Sequence, residues 1–260
     1  MKKIAVLTAL LFAALQIGYA QKVGLVLSGG GAKGAAHIGV IKALEENGIP
    51  IDYITGTSAG AIVGSLYAMG YTPEEMVELM LSEEFSYWQT GTVENEYKYY
   101  FKRPDPTPEF GHFSIDMTDS LQVKASFLPQ SLINPIQMNQ AFMALFSQAT
   151  AKAGWNFDNL FVPFRCVASD IYSKKAIIFK NGDLGDAVRE SMTFTFFFQP
   201  IWKDSVPIFD GGIYDNFPVG PMKEAFHPDF IFGSTVAGGN NKPSSNPYNQ
   251  LETMIMQKKE

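Results

Sequence analysis

Residues 51–69 read I-D-Y-I-T-G-T-S-A-G-A-I-V-G-S-L-Y-A-M, and this stretch decides the fold. Residues 51–55 form a short apolar run with β-favouring side chains, and residues 59–69 are small and apolar with helical character. Ser58 lies between the two runs, in the pattern Gly-Thr-Ser-Ala-Gly. A serine flanked by glycines at a strand-to-helix turn is typical of a nucleophile elbow, which exposes the hydroxyl. The sequence therefore predicts Ser58 as a nucleophile.

The predicted strand and helix around Ser58 make the short pattern stronger evidence for a catalytic serine. By itself G-x-S-x-G is weak, because tight structural turns also contain it. Here the strand would hold the turn rigid, and the helix N-terminus would direct N–H groups and positive partial charge at the reacting oxygen. Gly56 and Gly60 would supply room where a Cβ would clash. The context favours a catalytic serine over a purely structural turn.

A glycine run, S-G-G-G-A-K-G at residues 28–34, follows a strand-like run and opens a helix of residues 33–47. Gly29, Gly31 and Gly34 satisfy G-x-G-x-x-G, the fingerprint of dinucleotide binding. Asp52 lies 18 residues beyond Gly34, close to where such folds place an acid for the ribose. However, Asp52 opens its strand, whereas the ribose acid belongs at the far end. Lys33 precedes a glycine instead of Ser or Thr, so the run is not a Walker motif either.

A hydrolase explains the same glycines directly. Acyl transfer builds negative charge on the carbonyl oxygen, and preorganised donors aimed at that oxygen supply the largest catalytic contribution. Backbone N–H groups of Gly30, Gly31 and Ala59 are the expected donors, because glycine lets the backbone approach a substrate. The predicted oxyanion hole as a whole comprises Gly29, Gly30, Gly31, Gly34 and Ala59.

The serine also needs a group that takes its proton. Asp210 ends the strand-like run of residues 206–209 and is followed by Gly211 and Gly212, which turn the chain sharply. Alone, D-G-G indicates a hairpin turn more often than an active site, and its weight comes from the other two motifs. The histidines lack any surrounding motif and are interpreted as packing or surface residues: His37, His112 and His227.

In kind and order, these three motifs resemble the patatin-like phospholipase family. The match covers residues 23–235, including V-P-F-R-C-V-A-S-D at 162–170 and D-G-G-I-Y-D-N-F-P-V at 210–219. The resemblance implies a three-layer α/β/α fold with a largely parallel central sheet, and a Ser-Asp dyad of Ser58 and Asp210 that hydrolyses acyl esters of lipids. It implies neither a metal nor a diffusible cofactor. One departure concerns Thr195, where the family commonly has a proline that would fix a loop towards the acyl pocket.

The first 20 residues have the pattern of a signal peptide cut before Gln21. Residues 21–236 form the expected hydrolase domain, and residues 237–260 a linker and the start of a possible truncated C-terminal region. Exported proteins of this type often continue into an outer-membrane barrel module. We therefore expect an exported bacterial protein that is periplasmic, outer-membrane-associated or secreted. The lone Cys166 has no partner for an internal disulfide, and buried packing is its expected role.

Charge restricts the partners. The formal net charge is −6, and it becomes −8 without Lys2 and Lys3, since 18 basic residues then face 26 acidic ones. This balance argues against nucleic acid and against electrostatic capture by anionic lipid. Contact with a membrane surface, if made, would be apolar.

Two aromatic stretches leave alternatives open. Residues 85–101 are rich in aromatic side chains and predict either a lipid-facing lid or core elements, with equal weight. For Phe194 and residues 196–198 the core interpretation leads over an acyl-pocket wall. The leading function is a serine lipid acyl hydrolase acting on a phospholipid or another lipid ester. A non-catalytic lipid-binding or outer-membrane-associated module of the same fold is the alternative.

Overall fold

A computed structural model describes residues 21–92, 112–116, 122–126 and 132–236, with side chains outside the description for the two short middle segments. The predicted signal peptide, the linker region and aromatic residues 97–101 lie outside the described residues. The described strands are β1 (Val23–Leu27), β2 (Tyr53–Thr57), β3 (His112–Asp116), β4 (Gln122–Ser126), β5 (Phe164–Asp170), β6 (Lys175–Phe179), β7 (Ile201–Lys203), β8 (Val206–Asp210) and β9 (Phe230–Ser234). The helices are α1 (Ala36–Glu46), α2 (Ala59–Ala68), α3 (Pro73–Leu81), α4 (Glu83–Thr90), α5 (Ile136–Lys152), α6 (Leu184–Ser191) and α7 (Val219–Phe226).

A seven-stranded mixed sheet forms the centre of the molecule, and its middle is parallel. Strand β1 pairs in parallel with β2 and β9, and β2 pairs in parallel with β5. Strands β6 and β8 are antiparallel to β5, and β7 is antiparallel to β8. Strands β3 and β4 form a separate antiparallel hairpin. The prediction of a largely parallel central sheet is confirmed.

Helices cover both faces of this sheet. Gly64 of α2 packs against side chains of Leu27 and Ile54, and Met222 of α7 packs against Gly24. Because side chains alternate along a strand, Gly24 and Leu27 point to opposite faces of β1. Helices α2 and α7 therefore lie on opposite sides of the sheet, which is the predicted three-layer α/β/α arrangement. Among the described residues, no helix is both long and apolar enough to cross a membrane.

Strand burial follows from this layering. All five residues of β1 are buried, and β5 is buried from Phe164 to Ser169. Strands covered on both faces are expected to be continuously apolar instead of alternating. Cys166 of β5 is buried and free, as predicted.

The described part of the aromatic stretch belongs to a helix that packs on the core. Trp88 of α4 is partly buried, and its ring meets Phe142 of α5 edge-on at 6.5 Å between centroids. For Trp88 this contact supports the core interpretation. Phe198 is likewise buried, beneath the Arg189 guanidinium at 5.0 Å, while Phe196 is 43% exposed.

Candidate active site

Ser58 occupies a sharp turn between β2 and α2. Its backbone has φ 54° and ψ −120°, in the left-handed region that a residue with a side chain rarely adopts. A Cβ on Gly56 would collide with the carbonyl of Gly60, and one on Gly60 would collide with the carbonyl of Leu27. The two glycines let the turn close tightly against the end of β1. Such strain costs about 1–3 kcal/mol and persists where the surrounding structure enforces it.

The register of β5 explains how Asp210 reaches Ser58 from a distant part of the chain. Strand β6 pairs with residues of β5 that overlap the partners of both β2 and β8. Since a strand has two edges, β2 and β8 must share the edge of β5 that β6 leaves free. Thr57 ends β2 opposite Val167, and Asp210 ends β8 opposite Ala168. The two strands thus run towards each other and turn away at adjacent residues of β5.

The carboxylate of Asp210 is buried and forms a hydrogen bond with Ser58. It accepts a hydrogen bond from the Ser58 hydroxyl and a second one, at 2.7 Å, from the backbone N–H of Gly212. A Cβ on Gly211 would collide with the carbonyl of Val167, so the turn needs glycine there. Burial raises the pKa of Asp210 to about 6, and the two hydrogen bonds oppose this rise. The group is therefore ionised at neutral pH yet remains a competent proton acceptor.

The glycine run lies beside the serine. A Cβ on Gly29 would lie 3.1 Å from the Ser58 Cβ and would collide with Oδ1 of Asn216. The N–H of Gly29 donates to the carbonyl of Asn216 at 3.2 Å, so it is not free for a substrate. Gly34 has a packing role instead, because a Cβ there would collide with Ala59.

Three backbone donors remain for an oxyanion. Among the described residues, the N–H groups of Gly30, Gly31 and Ala59 have no hydrogen-bond acceptor. Gly31 has φ +57°, which favours glycine, and Gly30 has φ 170° and ψ 18°. Ala59 opens α2, whose N-terminus carries positive partial charge. The predicted oxyanion hole narrows to these three donors, with Gly29 and Gly34 shaping the loop.

His37 is a structural residue. It is fully buried, and Nε2 donates to the carbonyl of Ser28 at 2.9 Å, which makes Nδ1 the acceptor for the Ser234 hydroxyl at 2.7 Å. Burial lowers the pKa of His37, which favours this neutral form. The ring therefore ties the start of the glycine run to β9. His227 is exposed at the end of α7, and the side chain of His112 lies outside the described residues.

We expect His37→Gln to reduce stability by about 1–3 kcal/mol, because buried hydrogen bonds are lost, and to retain at least about a tenth of the esterase activity. His227→Gln should match the wild type in both properties. Urea unfolding and hydrolysis of a short p-nitrophenyl ester measure the two effects. A folded His37→Gln protein as inactive as a serine variant would indicate a Ser-His-Asp triad instead.

Ser191 supports the elbow and carries no sequence motif that announces this role. Its hydroxyl accepts the backbone N–H of Ser58 at 2.9 Å and donates to the carbonyl of Val167 at 2.6 Å. The single hydroxyl thus joins the elbow, the end of α6 and the centre of β5. It is fully buried. Local sequence gives no signal for such a bridge, because its partners are 24 and 133 residues away.

Ser191→Ala should lower kcat and leave KM nearly unchanged. The substitution removes the hydrogen bond that holds the backbone of Ser58 in place, and it does not alter groups that bind the substrate. The stability loss should be about 1–3 kcal/mol, since a buried N–H and a buried carbonyl lose their partner. Ser65→Ala is the matched control: Ser65 is also buried, and its hydroxyl bonds only to the carbonyl of Ile62 within α2. Equal effects of the two substitutions on kcat would contradict a bracing role.

Comparisons with known proteins identify the family and agree with the fold. The family model Patatin, described as patatin-like phospholipase, matches residues 25–223. Lysophospholipase NTE1 of Pyricularia oryzae is 31% identical over 217 residues, and patatin-like phospholipase domain-containing protein ZK370.4 of Caenorhabditis elegans is 29% identical over 203 residues. The alignments cover 83% and 77% of this chain and 12% of each relative. This chain therefore spans about an eighth of the length of these curated relatives.

A solved structure shares the fold. The crystal structure of VipD from Legionella pneumophila superimposes with a TM-score of 0.50 at 15% sequence identity. The superposition covers 90% of this chain and 52% of that one. At this identity the likeness concerns the fold alone.

Proposed function

Because the chain belongs to the patatin-like phospholipase family, we propose that it is a serine lipid acyl hydrolase of the phospholipase or lysophospholipase type. The observation that carries this proposal is the strained Ser58 bonded to the buried carboxylate of Asp210. A serine hydroxyl is a weak nucleophile until a positioned base accepts its proton. The two relatives named above, a lysophospholipase and a patatin-like phospholipase domain-containing protein, support lipid esters as substrates.

In the proposed first half-reaction, Asp210 accepts the proton of Ser58 as the serine oxygen attacks the ester carbonyl carbon. The carbonyl oxygen becomes an oxyanion, which the N–H groups of Gly30, Gly31 and Ala59 stabilise. The C–O bond to the alcohol then breaks, and Asp210 returns the proton to the leaving oxygen. A lysolipid or another alcohol departs, and the acyl group stays on Ser58.

In the second half-reaction, water attacks the acyl-enzyme. Asp210 takes a proton from that water and returns it to the Ser58 oxygen when the acyl bond breaks. One carboxylate therefore acts as base and acid in both halves, which suits a pKa near the working pH. The products are a fatty acid and the restored serine.

The alternative is a non-catalytic lipid-binding or outer-membrane-associated module. A binding module has no need for a strained serine on a buried carboxylate, and both features cost stability. Labelling with a fluorophosphonate probe distinguishes the two functions. We expect wild-type protein to be modified on the peptide that contains Ser58, whereas Ser58→Ala and heat-denatured protein stay unmodified. An unlabelled, folded wild-type protein would favour the binding module.

We also propose that residues 1–20 direct export and that the mature protein acts outside the cytoplasm of a bacterial cell. The support is the signal-peptide pattern, with its basic start, apolar middle and small residues before the cut. N-terminal sequencing of protein recovered from an expressing bacterium should give Gln21 as the first residue. An outer-membrane barrel beyond residue 260 remains a proposal, tested by reading the gene past that point.

A further inference from the structure

A cavity lies beside α6, apart from the candidate active site. Its volume is about 190 Å³, and neither Ser58, Asp210 nor a residue of the glycine run lines it. Helix α6 and strand β7 both contribute residues to its lining. The lining includes three acidic side chains, two aromatic ones and one lysine: Asp183, Asp186, Glu190, Phe179, Trp202 and Lys203.

Glu190 is the unusual member of this lining. The residue is 3% exposed, and its Oε2 has no hydrogen-bond partner among the described residues. A buried acceptor without a donor is costly, and a buried carboxylate without a cation is more so. Burial raises the pKa of Glu190 to about 7, and the charge of Lys203 opposes the rise. The carboxyl is therefore desolvated and its Oε2 lacks a donor, while Glu190 contributes to the lining of the cavity.

The other acids reinforce its charge. Residues 183, 186 and 190 are spaced by three and four, which places them on one side of α6. Asp183 caps the helix by accepting the N–H of Asp186 at 3.0 Å. Burial, followed by the charge of Asp183, raises the pKa of Asp186. None of these three carboxylates forms a salt bridge with a described residue.

The single lysine of the cavity is turned towards an aromatic ring. Nζ of Lys203 lies 4.8 Å from the ring centroid of Phe179, a cation–π contact. Trp202, the preceding residue, is 63% exposed, so its side chain is accessible to a ligand. Among the described residues, no group of three or more His, Cys, Asp or Glu side chains could hold a metal ion. Acidic and aromatic groups without a metal geometry fit an organic cation.

We propose that this cavity binds a small organic cation with a primary ammonium group, which donates to Glu190 Oε2, pairs with Asp186 and lies against the indole of Trp202. The orphaned acceptor favours an ammonium with N–H groups over a quaternary one. Ethanolammonium is the simplest member of this class that fits the volume. The inference does not depend on the proposed hydrolase function, because it concerns binding at a separate place.

The test is titration of the purified protein with ethanolamine, followed by calorimetry and by tryptophan fluorescence. We expect saturable binding, at least about tenfold weaker in Glu190→Gln and in Asp186→Asn, because each removes one carboxylate. Trp202→Phe should abolish the fluorescence change. Lys203→Met should bind more tightly, because it removes the cation that competes for the same carboxylates. Asp204→Asn is the matched control, since this exposed acid follows Lys203 without lining the cavity.

Several results would overturn the proposal. They are the absence of saturable binding, equal affinity in Glu190→Gln and Asp204→Asn, or tetramethylammonium binding as well as ethanolamine. Thermal unfolding shows whether each variant is folded. If Glu190→Gln does not fold, the affinities of Asp186→Asn and Lys203→Met test the proposal instead. The opposite signs expected for these two variants separate a ligand site from a merely structural cluster.

Affinity should also rise with pH. The groups facing Glu190 are Asp183 and Asp186 on α6, Lys203 on β7 and the buried thiol of Cys166 on β5, whose pKa burial raises further. Burial raises the pKa of Glu190 to about 7, so its ionisation should strengthen binding about tenfold between pH 6 and pH 8. Glu190→Gln should remove this dependence. A dependence that persists in the variant would assign it to another group.

The ammonium has two possible sources, a free amine or the head group of a lipid. Vesicles that contain an ethanolamine lipid, compared with vesicles of a choline lipid alone, distinguish them. Preferential vesicle binding that free ethanolamine displaces would identify the head group. Binding of free ethanolamine without any vesicle preference would identify a soluble amine. Neither assay measures hydrolysis, so its failure would leave the proposed esterase untouched.

Discussion

Ser58→Ala is expected to abolish ester hydrolysis, with a loss of at least about 10³-fold in kcat for a short p-nitrophenyl ester. The reason is that no acyl-enzyme forms without the hydroxyl, and nearby serines lack the elbow geometry. Ser191 is bonded to the backbone of the elbow, and Ser65 to its own helix. Circular dichroism should show an unchanged fold. Substantial turnover by the folded variant would remove Ser58 from the mechanism.

The strain at Ser58 gives a second result for the same position. Ser58→Gly should be as inactive as the alanine variant and yet more stable than it by about 1 kcal/mol, because glycine adopts φ 54° without penalty. Urea unfolding of the two inactive variants measures this difference without interference from activity. Equal stability would show that the turn stores no strain.

Local elements of the fold were predictable from the sequence. Thr-Pro-Glu-Glu at residues 72–75 indicates a capping box at the start of a helix, and Thr72 and Glu75 form that box at the start of α3. The elbow lies between β2 and α2 as expected. Strand β2 spans Tyr53–Thr57, two residues later than the predicted run of residues 51–55. Such features depend on side chains a few residues apart, which a single sequence displays.

Other elements gave no usable sequence signal. Helix α7 contains Gly220 and Pro221 near its start, residues that argue against a helix interior. Pro221 is tolerated because it lies in the first turn, where its missing N–H has no helical partner. Strand β7 is only three residues long and exposed, so it has no periodic pattern. These elements are held by tertiary contacts that override local propensity.

The candidate active site likewise contains residues that the sequence predicts and residues that it does not. Ser58, Asp210 and the glycine run were identified as separate motifs, but their meeting depends on the shared edge of β5. Asn216 was inside a segment quoted for the resemblance and Ser191 inside the matched range of residues 23–235, and no role was predicted for either. Their contacts with Ser58 and Gly29 are long-range hydrogen bonds to backbone atoms. Backbone partners leave no mark on residue type, so sequence reasoning does not find them.

The second large effect is expected for Asp210→Asn, with a loss in kcat/KM close to that of the serine variant, about 10³-fold or more. The amide still accepts the N–H of Gly212 but cannot take a proton from Ser58. Because Asn-Gly sequences deamidate to Asp-Gly, the variant's mass is checked before each assay. Activity above a tenth of the wild type in an intact variant would contradict the role of Asp210 as base.

The pH dependence of wild-type activity should report the ionisation of Asp210. Asp210 must be ionised to act as base, so kcat/KM should rise with pH with a midpoint of about 6 and then level off. The alanine and asparagine variants should lack this limb. A wild-type midpoint below pH 4, the ordinary range of an exposed aspartate, would show that burial does not perturb the reacting carboxyl.

Stability should depend on pH in the opposite sense, which provides a test independent of substrate. The pKa of Asp210 is raised from 3.8 to about 6 in the folded protein. Its ionisation therefore destabilises the fold: the penalty is absent below pH 3.8, grows as pH rises to 6 and is fully present above it. Two pKa units correspond to roughly 3 kcal/mol for this fully buried group. Asp210→Asn should thus be more stable than wild type at pH 8, with the difference shrinking towards pH 4 in parallel urea unfolding curves. An asparagine variant that is less stable at pH 8 would show that the carboxylate is held for structure, and that catalysis does not explain its burial.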